Sequence, residues 1–189
     1  MSLVAVVYHS ITGNTAKVAD AVCEGVRSSG ASVAPLKVCG THIVEGRFEN
    51  PEVLRALDLA SAIVFGAPTF MGGPSSQFKA FADASSDRWE RQLWRNKFAA
   101  GFTTGSAPNG DQTSTLQYFT VLAAQHGMLW VSLDRPRHVD SLAPNSQGVQ
   151  LGVSAVSSPS GVSIGDLQTA AYLGARIGQI AYNSTRSGV

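Results

Sequence analysis

Six consecutive positions, Ser10-Ile11-Thr12-Gly13-Asn14-Thr15, place four hydroxyl or amide side chains around one glycine. The apolar run Leu3-Val4-Ala5-Val6-Val7-Tyr8 precedes them, and helical spacing of Ala19, Val22 and Val26 follows. The pattern predicts a strand, a hydroxyl-rich turn and a helix start. Unpaired backbone N–H groups and the helix dipole at such a junction favour an anion, and a phosphate is the natural occupant. The loop contains no lysine or arginine. It is not Gly-x-x-x-x-Gly-Lys-Ser/Thr, so nothing is placed to reach the β- and γ-phosphates of a nucleoside triphosphate. Nor is it Gly-x-Gly-x-x-Gly, the turn that brings backbone onto a dinucleotide pyrophosphate. Neutral donors alone suit a terminal monophosphate that stays bound rather than one that is transferred. A Ser/Thr-rich turn that only caps a helix is the plainer alternative.

The elements that must position this loop alternate along the whole chain. Strands are expected at about 3–8, 32–38, 62–66 and 98–104. A fifth begins at 128–133, is interrupted by 134–150, and resumes at 151–156. Helices are expected at about 14–28, from Asn50-Pro51-Glu52 to 57, from Gly72-Gly73-Pro74-Ser75 onward, at 113–125, and from Ser163-Ile164-Gly165-Asp166 to near the end. The last of these starts resembles a capping box with Asp in place of Glu or Gln. Residues 39–50 read as a weakly patterned loop. Alternation of this kind predicts an α/β fold: a five-stranded parallel sheet in the order 2-1-3-4-5, helices on both faces, and an interrupted fifth strand. In that order a ligand sits at the switch point between strands one and three.

The loops after strands three and four are therefore the next places to find chemistry. The first reads Gly66-Ala67-Pro68-Thr69-Phe70-Met71-Gly72-Gly73-Pro74. Pro68 fixes the turn, Thr69 offers a hydroxyl, and the glycines let the backbone pass close to a flat ring. Phe70 could pack on that ring or on a neighbouring subunit. The second, Thr103-Thr104-Gly105-Ser106-Ala107-Pro108-Asn109-Gly110-Asp111-Gln112-Thr113, supplies small residues, hydroxyls and N–H groups. His126, just before Gly127, fits a helix C-terminal dipole partner as well as a ligand contact. Trp89 and Trp94 fit core, subunit-interface or ring-stacking roles.

Composition sets the outer limits. A chain of 189 residues, 44% hydrophobic and 14% charged, reads as one domain, 1–189, with a full core. A formal charge of +1 argues against a nucleic-acid surface. No apolar stretch approaches the roughly 20 residues a membrane span needs, and no basic leader precedes the first strand, so a cytoplasmic protein is expected. Cys23 and Cys39 form no metal or C-x-x-C spacing, and no metal site is expected.

The loop Ser10-x-Thr12-Gly13-x-Thr15 resembles the phosphate loop of the flavodoxin family, where it holds the 5′-phosphate of FMN. The resemblance narrows with Gly66-Ala67-Pro68-Thr69, Phe81-Ala82-Asp83, the Trp89 region, Phe102-Thr103-Thr104-Gly105, Gln112-Thr113 and His126-Gly127-Met128. These occur in the order and spacing of WrbA-type NAD(P)H:quinone oxidoreductases, and the likeness covers nearly the whole chain. It implies a flavodoxin-like fold, FMN as cofactor, NADH or NADPH as co-substrate, a quinone as acceptor, and a homo-oligomer, dimer or tetramer, whose neighbouring subunits build the active site. Carried over by position, Ser10, Ile11, Thr12, Gly13, Asn14, Thr15, Pro68, Thr69, Phe70, Met71, Gly72, Thr104, Gly105, Ser106, Ala107, Asn109, Gly110 and His126 would contact FMN. Trp89, with His126, would border the nicotinamide and quinone site. The chain departs from the family at Phe70-Met71-Gly72-Gly73, where Arg-Phe-Gly-Asn is usual after the threonine, and at Pro108-Asn109, where glycines are usual. A one-electron flavodoxin-type carrier and a non-catalytic flavin-binding regulatory module share the same phosphate loop. The near-neutral charge counts against the carrier, whose known examples are strongly acidic.

Overall fold

Apolar runs without alternation, such as Leu3–Tyr8 and Ala62–Phe65, arise where both faces of a parallel sheet are covered, and that is how the chain folds. The computed structural model describes residues 2–108, 110–137 and 142–187. In chain order the elements are β1 (Leu3–His9), α1 (Asn14–Ser28), β2 (Ser32–Val38), β3 (Ile43–Val44), β4 (Arg47–Phe48), α2 (Pro51–Leu59), β5 (Ala62–Phe70), β6 (Gly73–Pro74), α3 (Ser76–Ala84), α4 (Ser86–Glu90), β7 (Phe98–Gly105), α5 (Gln112–Gln125), β8 (Leu129–Trp130), β9 (Val153–Ser158), β10 (Gly161–Val162) and α6 (Ile164–Ser187).

The parallel strands lie in the order β2-β1-β5-β7, and the fifth place is shared. β8 pairs with the start of β7 (Phe98↔Leu129, Ala99↔Trp130) and β9 with its end (Phe102↔Val153 to Gly105↔Val156). This is the 2-1-3-4-5 order with its last strand interrupted, as the sequence predicts. The excursion between the two halves is tied to α6. Asn145, buried and at φ 65°, donates its backbone N–H to Thr169 Oγ1 (2.9 Å) and its amide to the Arg135 carbonyl (2.7 Å), and accepts from Val149 N–H (2.9 Å). Asp134 accepts from Tyr172 Oη at 2.7 Å and from Arg176 Nη1 at 2.6 Å.

Two cores flank the sheet. On one face α1 and α6 bury Val18, Val22, Val26, Leu173 and Ile177 against Val4, Val6, Val64 and Phe102. On the other, α2, α3 and α5 bury Leu57, Phe78, Phe81, Leu116 and Phe119 against Val7, Ile63 and Phe65. Phe78 and Phe119 meet with ring centroids 4.8 Å apart, within the range of favourable aromatic pairs. Asn50 caps α2 as its sequence predicts, its Oδ1 accepting from Glu52 and Val53 N–H at 3.2 Å, with Pro51 in the first turn.

Three local expectations need correction. Residues 39–50 are not patternless: β3 and β4 form a two-residue hairpin whose turn, Glu45-Gly46, has φ of 47° and 78°. The third strand runs four residues beyond 66, because Ala67 and Pro68 continue the ladder with Thr103 and Thr104. The chain then turns at Met71-Gly72 rather than at Pro68, folding back so that Thr69 faces Pro74 and Phe70 faces Gly73. Pro68 lies past the last β1–β5 pair, Tyr8↔Gly66, so its missing N–H costs no ladder bond. Finally, the capping box at α6 is half formed. Ser163 Oγ accepts from Asp166 N–H at 3.1 Å, but Asp166, too short to reach back, accepts instead from Val156 N–H at 3.0 Å.

Candidate functional site

The first loop turns through Gly13, at φ 92°, which is the N-cap of α1. A glycine brings no side chain to the first turn, and that turn carries no acidic residue, so the dipole is left for an outside anion. Gly13 is also held in the left-handed region that glycine adopts at no steric cost. Ser10, buried at the foot of the loop, accepts from Ala16 N–H at 3.2 Å. Asn14 donates to the Ser158 carbonyl at 3.2 Å, fixing the hairpin after β9 against the helix start. Thr15 and Thr104 join hydroxyl to hydroxyl at 2.8 Å, tying the same helix start to the end of β7.

A second set of hydroxyls aligns the neighbouring strands. Thr103 Oγ1 donates to the Ala67 carbonyl at 2.7 Å. Its single proton is thereby used, so at 2.8 Å it accepts from Thr69, which in turn accepts from Thr115 at 2.8 Å. The directed chain Thr115, Thr69, Thr103, Ala67 locks β5, β7 and α5 together beneath the loops. His9, buried at the end of β1, meets Ser75 Oγ through Nδ1 at 2.7 Å, and Ser75 N–H donates to the Pro68 carbonyl at 3.2 Å. Burial, and then the Lys37 charge, hold the His9 imidazole below its usual pKa, so it joins the loops as a neutral group.

Above these supports lies a cleft of about 230 Å³ lined by Ile11, Thr12, Thr15, Pro68, Thr69, Phe70, Thr104, Gly105, Ser106 and Ser157. Not one of these side chains is charged. The cleft stands at the carboxyl ends of β1, β5 and β7, where the strand order reverses, the place at which open α/β sheets bind ligands. A phosphate at the Ile11–Thr15 end would meet the first turn of α1, which carries no acidic side chain and whose Ala16 N–H is bonded to Ser10.

Nine of the expected contacts, Ile11, Thr12, Thr15, Pro68, Thr69, Phe70, Thr104, Gly105 and Ser106, border this cleft. Ser10, Gly13 and Asn14 shape the loop from beneath and beside. Met71 and Gly72, at φ 48° and 78°, form the hairpin tip beyond it. Ala107 and Gly110 close the turn after β7, where Gly110 N–H donates to the Ala107 carbonyl at 3.2 Å and Gln112 Nε2 donates to it at 2.9 Å. Asn109 lies outside the described residues. Ser157 borders the cleft and was not foreseen, because the expected strand stops at 156 while β9 runs to Ser158.

His126 and Trp89 are elsewhere. They border a separate cavity of about 270 Å³ together with Ala82, Asp83, Ser85, Ser86, Leu122 and Gln125. Within one chain they do not meet the loop cleft. His126 closes α5 as its C-cap, the position of a dipole partner. It is almost wholly buried, its ring packs on Trp94 at 4.3 Å between centroids, and its Nε2 meets Ser85 Oγ at 2.9 Å. Trp94, also buried, donates Nε1–H to Asp58 Oδ1 at 2.8 Å and is a core residue, whereas Trp89 is half exposed. Burial pushes the His126 pKa down to about 4, so desolvation outweighs the dipole and the ring is neutral at pH 7. An unfolded histidine, at about 6.5, takes up its proton first. Stability is therefore complete above pH 6.5 and is lost as pH falls toward 4, by up to about 3 kcal/mol. Denaturant melts at pH 7, 5 and 4 should show wild type losing that much more stability than His126→Gln; parallel losses would mean the ring is not held neutral by burial.

No group of three or more His, Cys, Asp or Glu among the described residues is arranged to hold a metal ion. No helix among them is long and apolar enough to cross a membrane.

Residues 2–133 match the family model of NADPH-dependent FMN reductases. A flavodoxin, FldP, of Pseudomonas aeruginosa is 38% identical over 95% of this chain and 97% of its own length. An NAD(P)H dehydrogenase (quinone) of Archaeoglobus fulgidus is 33% identical over 96% of this chain and 98% of its own. The crystal structure of a flavodoxin, WrbA-like protein from Agrobacterium tumefaciens superposes with a TM-score of 0.75 at 41% identity, covering 97% of this chain and 99% of that one. The uncharged cleft at a helix start without acidic residues agrees with FMN as the cofactor this family uses. On the matched residues and the shared strand order, the chain belongs to the NADPH-dependent FMN reductase family and is a WrbA-type, flavodoxin-like member of it.

Proposed function

We propose that the chain, acting as one FMN-binding unit in the cytoplasm, is an oxidoreductase that takes a hydride from NADH or NADPH and passes two electrons to a quinone. The observation that carries this reading is the charge-free cleft at the start of α1, which suits a phosphate that stays bound and a ring that reacts. FMN supplies the redox chemistry; the protein binds, orients and excludes water. In this reading Ser10 to Thr15 hold the phosphate, Pro68 to Gly72 and Phe70 in particular flank the ring, and Thr104 to Gly110 offer donors to its polar edge. Two free cysteines agree with a reducing compartment.

Trp89 and His126 enter as the substrate side of a neighbouring subunit's cleft in a homo-oligomer, a dimer or tetramer. Their distance from the cleft of their own chain supports that arrangement, and so do the exposed apolar side chains Ile11, Phe70 and Met71 at its mouth. The relatives named NAD(P)H dehydrogenase (quinone) support the donor and the acceptor.

A second reading, a one-electron carrier for a protein partner, is favoured by the relative named a flavodoxin. Steady-state oxidation of NADH and NADPH by FMN-loaded protein with benzoquinone separates the two. Sustained turnover, with flavin reduced in one two-electron step, is the expected result. No turnover, with reduction split into two resolved one-electron steps, would favour the carrier.

A further inference from the structure

Six of the residues that line the loop cleft carry hydroxyls, and three of these are already committed. Thr15 and Thr104 bond to each other, and Thr69 lies in the chain between Thr115 and Thr103. The hydroxyls of Thr12, Ser106 and Ser157 have no protein partner among the described residues, so their protons are open to a ligand. Thr12 and Ser106 stand in the loops after β1 and β7. Ser157 stands outside them, near the end of β9, where the chain turns back into β10.

Strand geometry says which side of the cleft this third hydroxyl serves. Side chains two residues apart in a strand share a face. Val153 and Ala155 of β9 pack into the core under α1 and α6. Ser157 therefore emerges on that face, one step past the last β7–β9 pair, Gly105↔Val156. Thr104, paired with Ala155, points the same way and reaches Thr15 of α1. Ala67 packs into the opposite core, and Thr69, two residues on, shares its face. Ser157 thus belongs with the phosphate loop and not with Thr69. It is also held in place from both sides. Ser157 pairs with Val162 of β10, and Asn14, the first residue of α1, donates to the Ser158 carbonyl at 3.2 Å. The Ser158 hydroxyl donates to the Gly161 carbonyl at 3.0 Å and so accepts from Ser160 at 2.7 Å, closing the hairpin. A hydroxyl on so fixed a backbone loses little freedom when it binds.

We propose that Ser157 is a further cofactor-binding residue, its hydroxyl donating to an oxygen of the phosphate-bearing tail of FMN. The hairpin after β9 then completes the tail's side of a cradle otherwise built from the loops after β1, β5 and β7. The proposal rests on the reading of this cleft as the FMN site. A phosphate oxygen and a hydroxyl of the ribityl chain both accept such a bond, and both lie in the tail. A donor here counts most against the phosphate, because no charged side chain lines the cleft and hydrogen bonds to a charged acceptor are the strong ones.

Flavin fluorescence, followed as the full chain freed of flavin is titrated with FMN, riboflavin and lumiflavin, tests this. Riboflavin keeps the ribityl chain without the phosphate, and lumiflavin keeps the ring without the tail. Ser157→Ala is expected to weaken FMN about tenfold, the loss of one hydrogen bond, and to leave lumiflavin unchanged. Ser157→Thr, which keeps the hydroxyl, should restore FMN affinity. An equal loss for riboflavin assigns the bond to the ribityl chain, and an unaltered riboflavin assigns it to the phosphate; either result supports the proposal. Unchanged FMN affinity overturns it. So does a loss shared by lumiflavin, which would make Ser157 a part of the ring's wall or of the fold. Ser157 is only partly buried, at a strand end, so the variant should fold. If it does not, Ser157→Cys, whose thiol is a weak donor, takes its place with the same expectations. Thr12→Asp, titrated alongside, separates the proposal from the reading beneath it. FMN lost from Thr12→Asp but held at full affinity by Ser157→Ala overturns the proposal alone, and FMN held by Thr12→Asp overturns both. None of these titrations needs turnover, so absence of NAD(P)H oxidation would count against the proposed function alone.

Discussion

Thr12→Asp is expected to abolish FMN retention. Thr12 borders the cleft at the start of α1, where no charged side chain lies among the lining residues. A carboxylate there faces the phosphate with nothing to offset it. Two like charges about 4 Å apart near a protein surface repel by about 4 kcal/mol, which is about a thousandfold in affinity. Thr12→Ser keeps the hydroxyl and should retain the cofactor. Flavin absorbance after desalting, with riboflavin as the phosphate-free control, reads the effect. The variant should lose FMN far more than it loses riboflavin. Unchanged FMN affinity would mean that this loop is not the phosphate site.

The second large effect lies behind the site. Gly174→Ala should destabilise the fold by about 3–5 kcal/mol, the range of severe overpacking and backbone displacement. A methyl at Gly174 would run into the Val22 carbonyl, and one at Gly25 into the Ala171 carbonyl, both backbone atoms that cannot turn aside. α1 and α6 are therefore in backbone contact, and these glycines permit it. Out of a total stability of about 5–15 kcal/mol the loss is large. Because the same α1 presents its N-terminus to the cleft, FMN affinity should fall with stability. A denaturant midpoint unmoved by either substitution would contradict the close packing. Gly30→Ala serves as the contrast: at φ 85° and with open space around it, it should cost only the backbone strain, about 1–2 kcal/mol.

What the sequence made legible was local. The phosphate loop could be read because strand, glycine turn and helix start are contiguous, and the interrupted fifth strand because each half is an apolar run of its own. The hairpin at Met71-Gly72 was hidden, since a two-residue turn with positive φ at both positions is signalled by Asn-Gly or Asp-Gly, and a methionine there gives no sign. Ser157 escaped because a strand end is fixed by pairing with β10 rather than by polarity. Asp166 matched a capping box in spacing but lacked the length to close it. Trp89 and His126 are near each other in space but reach no cleft of their own chain, and no periodicity along the sequence carries that separation. The left-handed Met71 is consistent with strain kept where a site must be shaped, since such residues persist only when their surroundings hold them.

In the proposed function, the cleft formed by the loops after β1, β5 and β7 holds FMN that accepts electrons from a nicotinamide nucleotide and gives them to a quinone. Anaerobic titration of FMN-loaded protein with NADH and with NADPH, followed at the flavin absorbance and completed by adding benzoquinone, tests it most directly. Full bleaching with one equivalent of at least one nucleotide is expected, with full recovery of the oxidised spectrum on adding the quinone. A flavin that stays oxidised with both nucleotides would contradict it.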